Sequence, residues 1–455
     1  MVGRNTQTLI CGQGSSQGSQ EEDVISQLPD QLISDILYHL HTKEVVTTSL
    51  LSTRWRNLWK LVPGLDLDTC KFPNFNALAS FAHRFFSFHM ETEITRLRLR
   101  ISARDYHHHK SNDENYVPLW IEAALTRHRT QHLDVYFGYY YPSNKVEIPL
   151  SVFTCERLVH LRLFGAHLFN AESVSLPCLK IIHLEYVRAP NEATLEKLIS
   201  GSPVLEDLTI IRCNDRYADN AKVLQVGSQT VKRIDIDQFA QLVISDAPLL
   251  QFFRVRVYLK ETFKIIINSG FSAKVDVDLS AGCEFNPLIS TVGDLLTGIS
   301  TVGGDLVLSR DICKVMYQYS KIEQLPQFGL LSSLCVSLLA SDLTWLPEIL
   351  ENCPKLKSLF LVWYGNSEMV PDDEMSEISL PPMIECLLSS LEFVDIKTRV
   401  SGDDTEMKLV WYFLVNSLIL KKLTVRLDSH PTKDDISEEI LGFPRRSITC
   451  EVIVL

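Results

Sequence analysis

The sequence predicts an α/β chain in which three short N-terminal helices precede an irregular solenoid, a parallel β-sheet with helices returning along its outside. Three observations predict it. An apolar phrase with fixed internal spacing recurs from residue 94 to the C-terminal region. Helical connectors with a small-residue break lead into several copies of that phrase. Residues 28–59 carry more apolar surface than so short a segment can bury by itself.

Residues 1–20, rich in Gln, Gly and Ser, read as a flexible tail. In the first helix Pro29 suits the opening turn and Asp30 complements the positive helix end. Ile33, Ile36, Leu37 and Leu40 then follow at i, i+3, i+4 and i+7, the spacing of one helical face, which Leu28 and Leu32 widen. Thr42 is placed to cap a second helix, where Val45/Ser49 and Val46/Leu50 are i, i+4 pairs. Ser52 is placed to cap a third, in which Trp55, Leu58, Trp59 and Val62 repeat the first pattern until Pro63-Gly64 ends it.

The phrase reads apolar, two residues, apolar, one residue, apolar. Clear copies are Ile94-Leu97-Leu99, Leu158-Leu161-Leu163, Leu179-Ile182-Leu184, Leu205-Leu208-Ile210, Val231-Ile234-Ile236, Leu250-Phe253-Val255, Leu331-Leu334-Val336, Leu356-Leu359-Leu361, Leu391-Val394-Ile396 and Leu420-Leu423-Val425. Degenerate copies stand at Leu133-Val135, Val275-Val277 and Leu306-Leu308. From residue 158 the starts are 21, 26, 26 and 19 residues apart, near the leucine-rich-repeat period. The last two apolar positions are two apart and so share one face of a short strand, while the first lies in the turn entering it. Cys213 occupies the place where such repeats often carry Asn or Cys. Ala166, Val187 and Phe239 stand there in other copies, so an asparagine ladder is largely missing.

Helical connectors are read at Trp120–Leu125, Ala193–Ile199 and Leu346–Leu350, the last two followed by Gly201-Ser202-Pro203 and Asn352-Cys353-Pro354. Gly303-Gly304 reads as a turn. Beyond Pro381 a strand at Leu391–Val394, a turn at Gly402-Asp403-Asp404, a helix over Glu406–Asn416 and a strand at Leu420–Val425 continue the alternation.

Composition narrows the function. Of 455 residues 45% are apolar and 22% charged, which indicates a globular chain. A net charge of −12 argues against general nucleic-acid or anionic-membrane binding. No apolar run is long enough for a membrane span, and the N-terminus lacks a signal-peptide pattern. The eleven cysteines are scattered without a C-x-x-C pair, which suits a reducing compartment, cytoplasm or nucleus. Tyr106-His107-His108-His109 has no second ligand cluster at fixed spacing, so no metal is expected. There is no phosphate-binding G-x-x-x-x-G-K-[ST] loop and no G-x-S-x-G elbow, hence no catalytic residue and no cofactor is assigned. Cys178, Cys213 and Cys335 fall at or beside repeat strands, where burial is the default.

The N-terminal stretch resembles a plant-type F-box. The features that carry the resemblance are Leu28-Pro29-Asp30, Ile36-Leu37, Lys43 before an apolar helix, and the run from Ser49 to Trp59, SLLSTRWRNLW. His41 stands where that motif usually has Pro. The ending Phe443-Pro444-Arg445-Arg446-Ser447, then Cys450-Glu451-Val452, resembles the end of the FBD domain of plant F-box proteins. Together these mark the chain as resembling the plant F-box/FBD/LRR-repeat family. Its layout then reads as a tail over 1–20, an F-box over 21–69, leucine-rich repeats over 70–380, and an FBD domain over 381–455 continuing the solenoid.

The resemblance implies a non-catalytic substrate-recognition subunit of an SCF-type cullin-RING ubiquitin ligase. The F-box would bind a Skp-family adaptor, and through it a cullin complex, while repeats and FBD bind an unidentified protein target. The expected adaptor contacts are Leu28, Pro29, Leu32, Ile36, Leu50, Trp55, Leu58 and Trp59. An adaptor-bound scaffold without a role in ubiquitination is the alternative, and an enzyme with a hidden site a more distant one. On the open face of the strands, alternating with the inward residues, stand Arg96, Arg98 and Arg100, then Phe360, Val362 and Phe393. These six are the candidate target contacts. The arginines suit an acidic segment or a phosphate, or form a solvated face. The apolar three suit a partner, or packing against an FBD helix or loop.

Overall fold

In the computed structural model, residues 25–88, 93–102, 116–127, 129–138, 146–211, 213, 223–237, 239, 241–257, 264–267, 272–279, 289–339, 345–364, 384–400, 402, 404–427 and 433–455 are described. The chain divides at Pro63/Gly64 into two units.

In the N-terminal unit, α1 (Asp30–Leu37) and α2 (Thr42–Thr47) precede a 3₁₀ turn at Thr48–Leu50 and a 3₁₀ segment at Trp55–Leu61. Their shared core is Ile33, Leu37, Val45, Trp55, Leu58 and Val62, with Leu28, Tyr38 and Trp59 packed against it. The single apolar face expected of the first helix is therefore split. Ile33 and Leu37 turn inward, while Leu32, Ile36 and Leu40 are exposed. Ser34 takes a core-facing place instead, because its hydroxyl donates to the Leu61 carbonyl at 3.1 Å and stays satisfied when buried.

The third segment is not the α-helix expected from its spacing. At three residues per turn, Trp55 and Leu58 eclipse one another and both reach the core. Ser52 does not cap it; Arg54 occupies the cap position. Thr42 is the first residue of α2 rather than its cap, with His41 before it at φ −65°. That angle is the one proline's ring imposes, so His41 keeps the backbone of the usual proline.

The second unit is built on one fifteen-stranded parallel sheet. Its strands are β1 (Gly64–Asp68), β2 (Arg96–Ile101), β3 (His132–Phe137), β4 (His160–Phe164), β5 (Ile181–Glu185), β6 (Asp207–Ile211), β7 (Arg233–Asp237) and β8 (Phe252–Val257). They continue with β9 (Ser272–Leu279), β10 (Gly303–Leu308), β11 (Leu331–Leu339), β12 (Ser358–Tyr364), β13 (Phe393–Val400), β14 (Lys422–Leu427) and β15 (Glu451–Val454). Each pairs with the next of these fifteen, and the short strands that lie between some of them in the chain belong to separate sheets.

All thirteen copies of the phrase, degenerate ones included, are strands of this sheet. Leu97, Leu133, Leu161, Ile182 and Leu208 lie side by side in matching register, and the row is buried throughout. Two further strands escaped the sequence reading. For β1, Val62-Leu65-Leu67 fits the phrase, but Val62 also fits the apolar face of the third helix. For β15 the leading position is Thr449, which breaks the pattern. Gly303-Gly304, read as a turn, opens β10 instead. Gly304 has φ +105°, and the pairing with β11 shifts register at Gly304/Asp305, the geometry of a bulge.

The entry turns are joined by the backbone. At many strands the residue just before the strand offers its carbonyl to two N–H groups of the following repeat. Lys180 O accepts from Glu206 and Asp207 at 2.8 and 3.0 Å, Glu206 O from Lys232 and Arg233 at 2.8 and 3.1 Å, and Lys232 O from Gln251 and Phe252 at 2.8 and 3.1 Å. Thr130, Thr230 and Ser447 donate to the carbonyls of Ile94, Leu205 and Leu420, the leading apolar residues of preceding repeats. These bonds do the work of the missing asparagine ladder. Cys213 Sγ lies 3.6 Å from Leu184 O, while Ala166, Val187 and Phe239 fill their equivalent places as buried apolar groups.

The outer layer holds α3 (Phe75–Phe88), α4 (Tyr116–Arg127), α5 (Glu192–Ser200), α6 (Ile289–Ser300), α7 (Arg310–Ser320), α8 (Leu346–Glu351), α9 (Glu385–Ser389), α10 (Asp404–Asn416) and α11 (Lys433–Gly442). Asn191 caps α5 by accepting from Thr194 N at 2.9 Å. Between β6 and β9 the expected outer helices give way to a second parallel sheet of Val223–Gly227, Gln241–Ser245 and Lys264–Ile267. In these returns the alternating Leu224/Val226 and Leu242/Ile244 are buried as strand residues are.

Two substitutions test this stacking. Phe253 is fully buried in the middle of the sheet, so Phe253→Ala should cost about 3–5 kcal/mol in denaturant unfolding of the full chain. Gly165 leaves β4 at φ +69°, and a Cβ there would stand 2.4 Å from Phe137 O. Gly165→Ala should cost at least about 1 kcal/mol by the same measurement. A loss no larger than that of an exposed-loop Gly→Ala would contradict this geometry.

Candidate interaction surfaces

On the N-terminal unit, Ile25, Leu32, Ile36, Leu40, Leu50, Leu51 and Leu61 are seven of the twenty-one exposed large apolar side chains among the described residues, gathered in less than a tenth of the chain. Leu32 and Ile36 sit one turn apart on α1, 48% and 49% exposed, and Leu50 is 83% exposed. Pro29 is exposed too. Of the remaining expected adaptor contacts, Leu28 and Trp59 are half-buried against the core, and Trp55 and Leu58 lie within it.

The exposed set is held in place from behind. Arg54 donates to Leu28 O and to Asp30 Oδ1, the latter at 3.2 Å, tying the third segment to the start of α1. Trp59 Nε1 donates to Arg56 O at 3.1 Å. Arg54 lies in the Ser49–Trp59 run, but its clamping role depends on the 24-residue closure between it and Asp30, which sequence does not show.

The open face of the large sheet carries rows of side chains set by the register. Along the central row from β1 to β9 stand Asp66, Arg98, Asp134, Arg162, His183, Thr209, Asp235, Arg254 and Asp276. Opposite charges on neighbouring strands meet. Arg98 lies 3.2 Å from Asp134 and 3.5 Å from Asp66. Arg254 lies 2.7 Å from Asp276, Arg256 3.0 Å from Asp235, and Arg426 bonds Asp395. The row Arg96/Arg98/Arg100 is thus not uniformly basic: Arg98 sits between two carboxylates and Arg100 is exposed.

Farther along, the central row becomes apolar: Val307, Cys335 and Phe360 pair across β10, β11 and β12. Lys397 Nζ stands 4.6 Å from the Phe360 ring centre. Val362 is half-buried, and Phe393, on the neighbouring strand, is 41% exposed.

Near β3 and β4 lies a group of aromatic side chains and histidines. Tyr136 and Phe164 are register partners with ring centres 4.4 Å apart in a stacked arrangement, and Tyr186 meets Phe164 edge-on at 5.2 Å. His132 and His160 contact edge to face at 6.0 Å. Burial, with Arg96 beside it, holds His132 below the ordinary histidine range. Burial also lowers His160, assisted by His132, Arg162 and His183 against the opposing pull of Asp134.

Among the described residues no group of three or more His, Cys, Asp or Glu is placed to hold a metal ion. The segment Tyr106–His109 lies outside them. Cys213 is buried as expected, but Cys178 is exposed and Cys335 half-buried. Among the described residues, no helix is long and apolar enough to cross a membrane.

Comparison with known proteins places these surfaces in a family. The F-box domain matches residues 25–65, the repeats of the family described as "FBD-associated F-box protein At5g56370, LRR repeats" match 118–273, and FBD matches 382–425. The Arabidopsis thaliana F-box/FBD/LRR-repeat protein At1g51370 is 46% identical over 461 residues, spanning 100% of both chains. The chain belongs to the F-box/FBD/LRR-repeat family. F-box/FBD/LRR-repeat protein At5g53840 and F-box/LRR-repeat protein 13, both from Arabidopsis thaliana, are 43% and 40% identical, covering 98% and 97% of this chain and 98% of each relative. The exposed apolar residues of the N-terminal unit thus lie in the F-box. The open-face ladder from β3 to β8 lies in the matched repeats, and Phe393 lies in the FBD, whose strands β13 and β14 extend the same sheet.

The histidine pair makes stability depend on pH. A histidine with a lower pKa folded than unfolded takes up protons more readily in the unfolded chain. Its contribution is therefore complete above about pH 6.5 and is lost as pH falls through the folded values. Thermal melts from neutral pH downward should show the repeat unit weakening below about pH 6.5. His132→Gln/His160→Gln should flatten that decline, and an unchanged slope would remove this pair as its cause.

Proposed function

We propose that this chain is the substrate-recognition subunit of an SCF-type cullin-RING ubiquitin ligase. The F-box binds a Skp-family adaptor and, through it, a cullin. The repeat sheet with its FBD extension binds a protein target, with the cytoplasm or nucleus as the place of action. The chain contributes proximity rather than bond chemistry: it holds a target lysine near ubiquitin carried by other subunits.

One observation carries this reading: the exposed apolar set on an F-box whose own core is already filled. Core residues Ile33, Leu37, Trp55 and Leu58 account for the folding of the unit. They leave Leu32, Ile36 and Leu50 with nothing to do for folding, and exposed aliphatic groups in one segment mark a protein interface. Of the expected adaptor contacts, Leu32, Ile36, Leu50 and Pro29 are available directly. Leu28 and Trp59 offer their outer edges, and Trp55 and Leu58 act by supporting the surface from within. On the target side, Arg96, Arg98, Arg100, Phe360, Val362 and Phe393 belong to the proposed binding face.

Co-purification of the full chain with a Skp-family adaptor tests the reading. Leu32→Asp/Ile36→Asp should weaken adaptor binding at least a hundredfold, on the order of two interface anchors, while circular dichroism and the thermal midpoint of the repeat unit stay unchanged. Undiminished adaptor binding would refute the F-box assignment. Reconstitution with cullin, RING subunit and a captured target should yield ubiquitinated target. Stable capture without transfer would favour the scaffold.

A further inference from the structure

We propose that Arg100, Tyr136, Arg162 and Phe164 form a site on the open face for an extended acidic peptide segment of the target protein, with two carboxylate side chains flanking an apolar one. This rests on the reading of the repeat sheet as the target-binding surface, and it names the chemistry that surface selects.

The charge ladder supplies the first argument. Arg98, Arg254, Arg256 and Arg426 each lie across from a carboxylate they reach. Arg162 does not. Its register neighbours are Asp134 and His183. Asp134 is held by Arg98, and His183 lies 3.6 Å from Glu185. Arg100 is exposed, and Asp68, its partner on β1, accepts instead from Cys70 N at 2.9 Å. Among the described residues, Arg100 and Arg162 have no carboxylate within ion-pair distance. In a chain of net charge −12, two such arginines around one spot form a local exception that favours an acidic ligand.

The aromatic pair between them supplies the second. By register Tyr136 neighbours Arg100, and Phe164 is two residues from Arg162 on the same strand face. Tyr136 is 44% exposed although stacked on Phe164 at 4.4 Å. Tyr186, behind Phe164, has φ +52°, a left-handed conformation uncommon for so bulky a residue, and it places its ring 5.2 Å from Phe164. The equivalent position of the preceding repeat, Gly165, also has a positive φ, so the turn belongs to the repeat, and here it sets the Tyr186 ring against Phe164.

Geometry sets the ligand. Arg100 and Arg162 stand two strands and two residues apart, about 12 Å between backbones. An extended peptide rises about 3.3 Å per residue, so carboxylates three or four residues apart reach both arginines while the side chain between them lies on the rings.

The test uses the full chain bound to its adaptor and a fluorescein-labelled peptide, Gly-Glu-Ser-Phe-Ser-Glu-Gly, read by anisotropy. Replacing both Glu by Gln, or Phe by Ser, should each weaken binding about tenfold, and added salt should weaken the parent peptide most. On the protein side, Arg100→Gln/Arg162→Gln should lose about tenfold for the parent peptide and nothing for the Gln peptide. Arg256→Gln, whose partner is Asp235, should change neither. Equal binding of the Glu and Gln peptides to the native protein overturns the proposal, as does binding confined to a phosphoserine version. The two readings fail separately. Normal target capture and ubiquitination by the double-arginine variant removes this site and leaves the ligase assignment standing. Failure of adaptor binding with selective peptide binding intact does the reverse.

Discussion

The lateral match of one strand to the next is the constraint on which the rest of this fold depends. Every strand of the large sheet pairs with the next strand of that sheet along the chain, nearly all without a slip, so one residue type at one position meets the same position in the neighbouring repeat. That registration makes a continuous buried row out of isolated Leu, Ile and Val residues. In many repeats it also lets one backbone carbonyl accept two N–H groups from the next. Those bonds satisfy turns that would otherwise need an asparagine side chain, and this is how Ala166, Val187 and Phe239 are tolerated at that position. The bulge at Gly304 marks a local break in that match: a positive φ absorbs the shift, and the sheet goes on.

The same registration determines the open face. Charges that are scattered in the sequence become neighbours about 4.8 Å apart, and most arginines find a carboxylate on the adjoining strand. The face therefore holds many charged groups with little net field over most of its length. Exposed groups that remain uncompensated stand out against it. Among the described residues, Arg100 and Arg162 are two such groups beside stacked aromatics at β3 and β4, and an apolar stretch at Val307, Cys335 and Phe360 follows farther along. A binding face of this kind selects partners by where charge is left over rather than by how much is present.

In the F-box the logic is different. Its core is small and complete, and Arg54 locks the third segment to the beginning of the first. With folding so provided for, the outward aliphatic residues are a surface held ready on a rigid support. His41 adopts the φ of the proline it replaces, so that substitution leaves the path of the chain intact.

Much was legible in the sequence because the relevant periods are local. The alternation Leu-x-Leu specifies a strand face within three residues, and thirteen copies specify stacking. Helices such as α5 and α8 announce themselves by spacing and by the Pro or Gly that follows. The ambiguous places were those where two local readings compete. Val62 fits both a helix face and a strand phrase, Gly303-Gly304 fits both a turn and a strand start, and Ile36 fits both a core stripe and an exposed one. A helix period assigns a residue to a face within about a quarter turn, and only the position of the other helices decides which edge of that face is covered. Pairing is similarly non-local. Arg96, Arg98 and Arg100 look alike in sequence, yet Asp66 and Asp134 come from 32 and 36 residues away to neutralise one of them and leave Arg100 open. The sequence by itself determined the stacked strands of the solenoid and the first two F-box helices, because each follows from contacts within a turn or between identical phrases. The tertiary structure alone decided which charged and apolar side chains are left free, because that depends on what the neighbouring strand or helix happens to present.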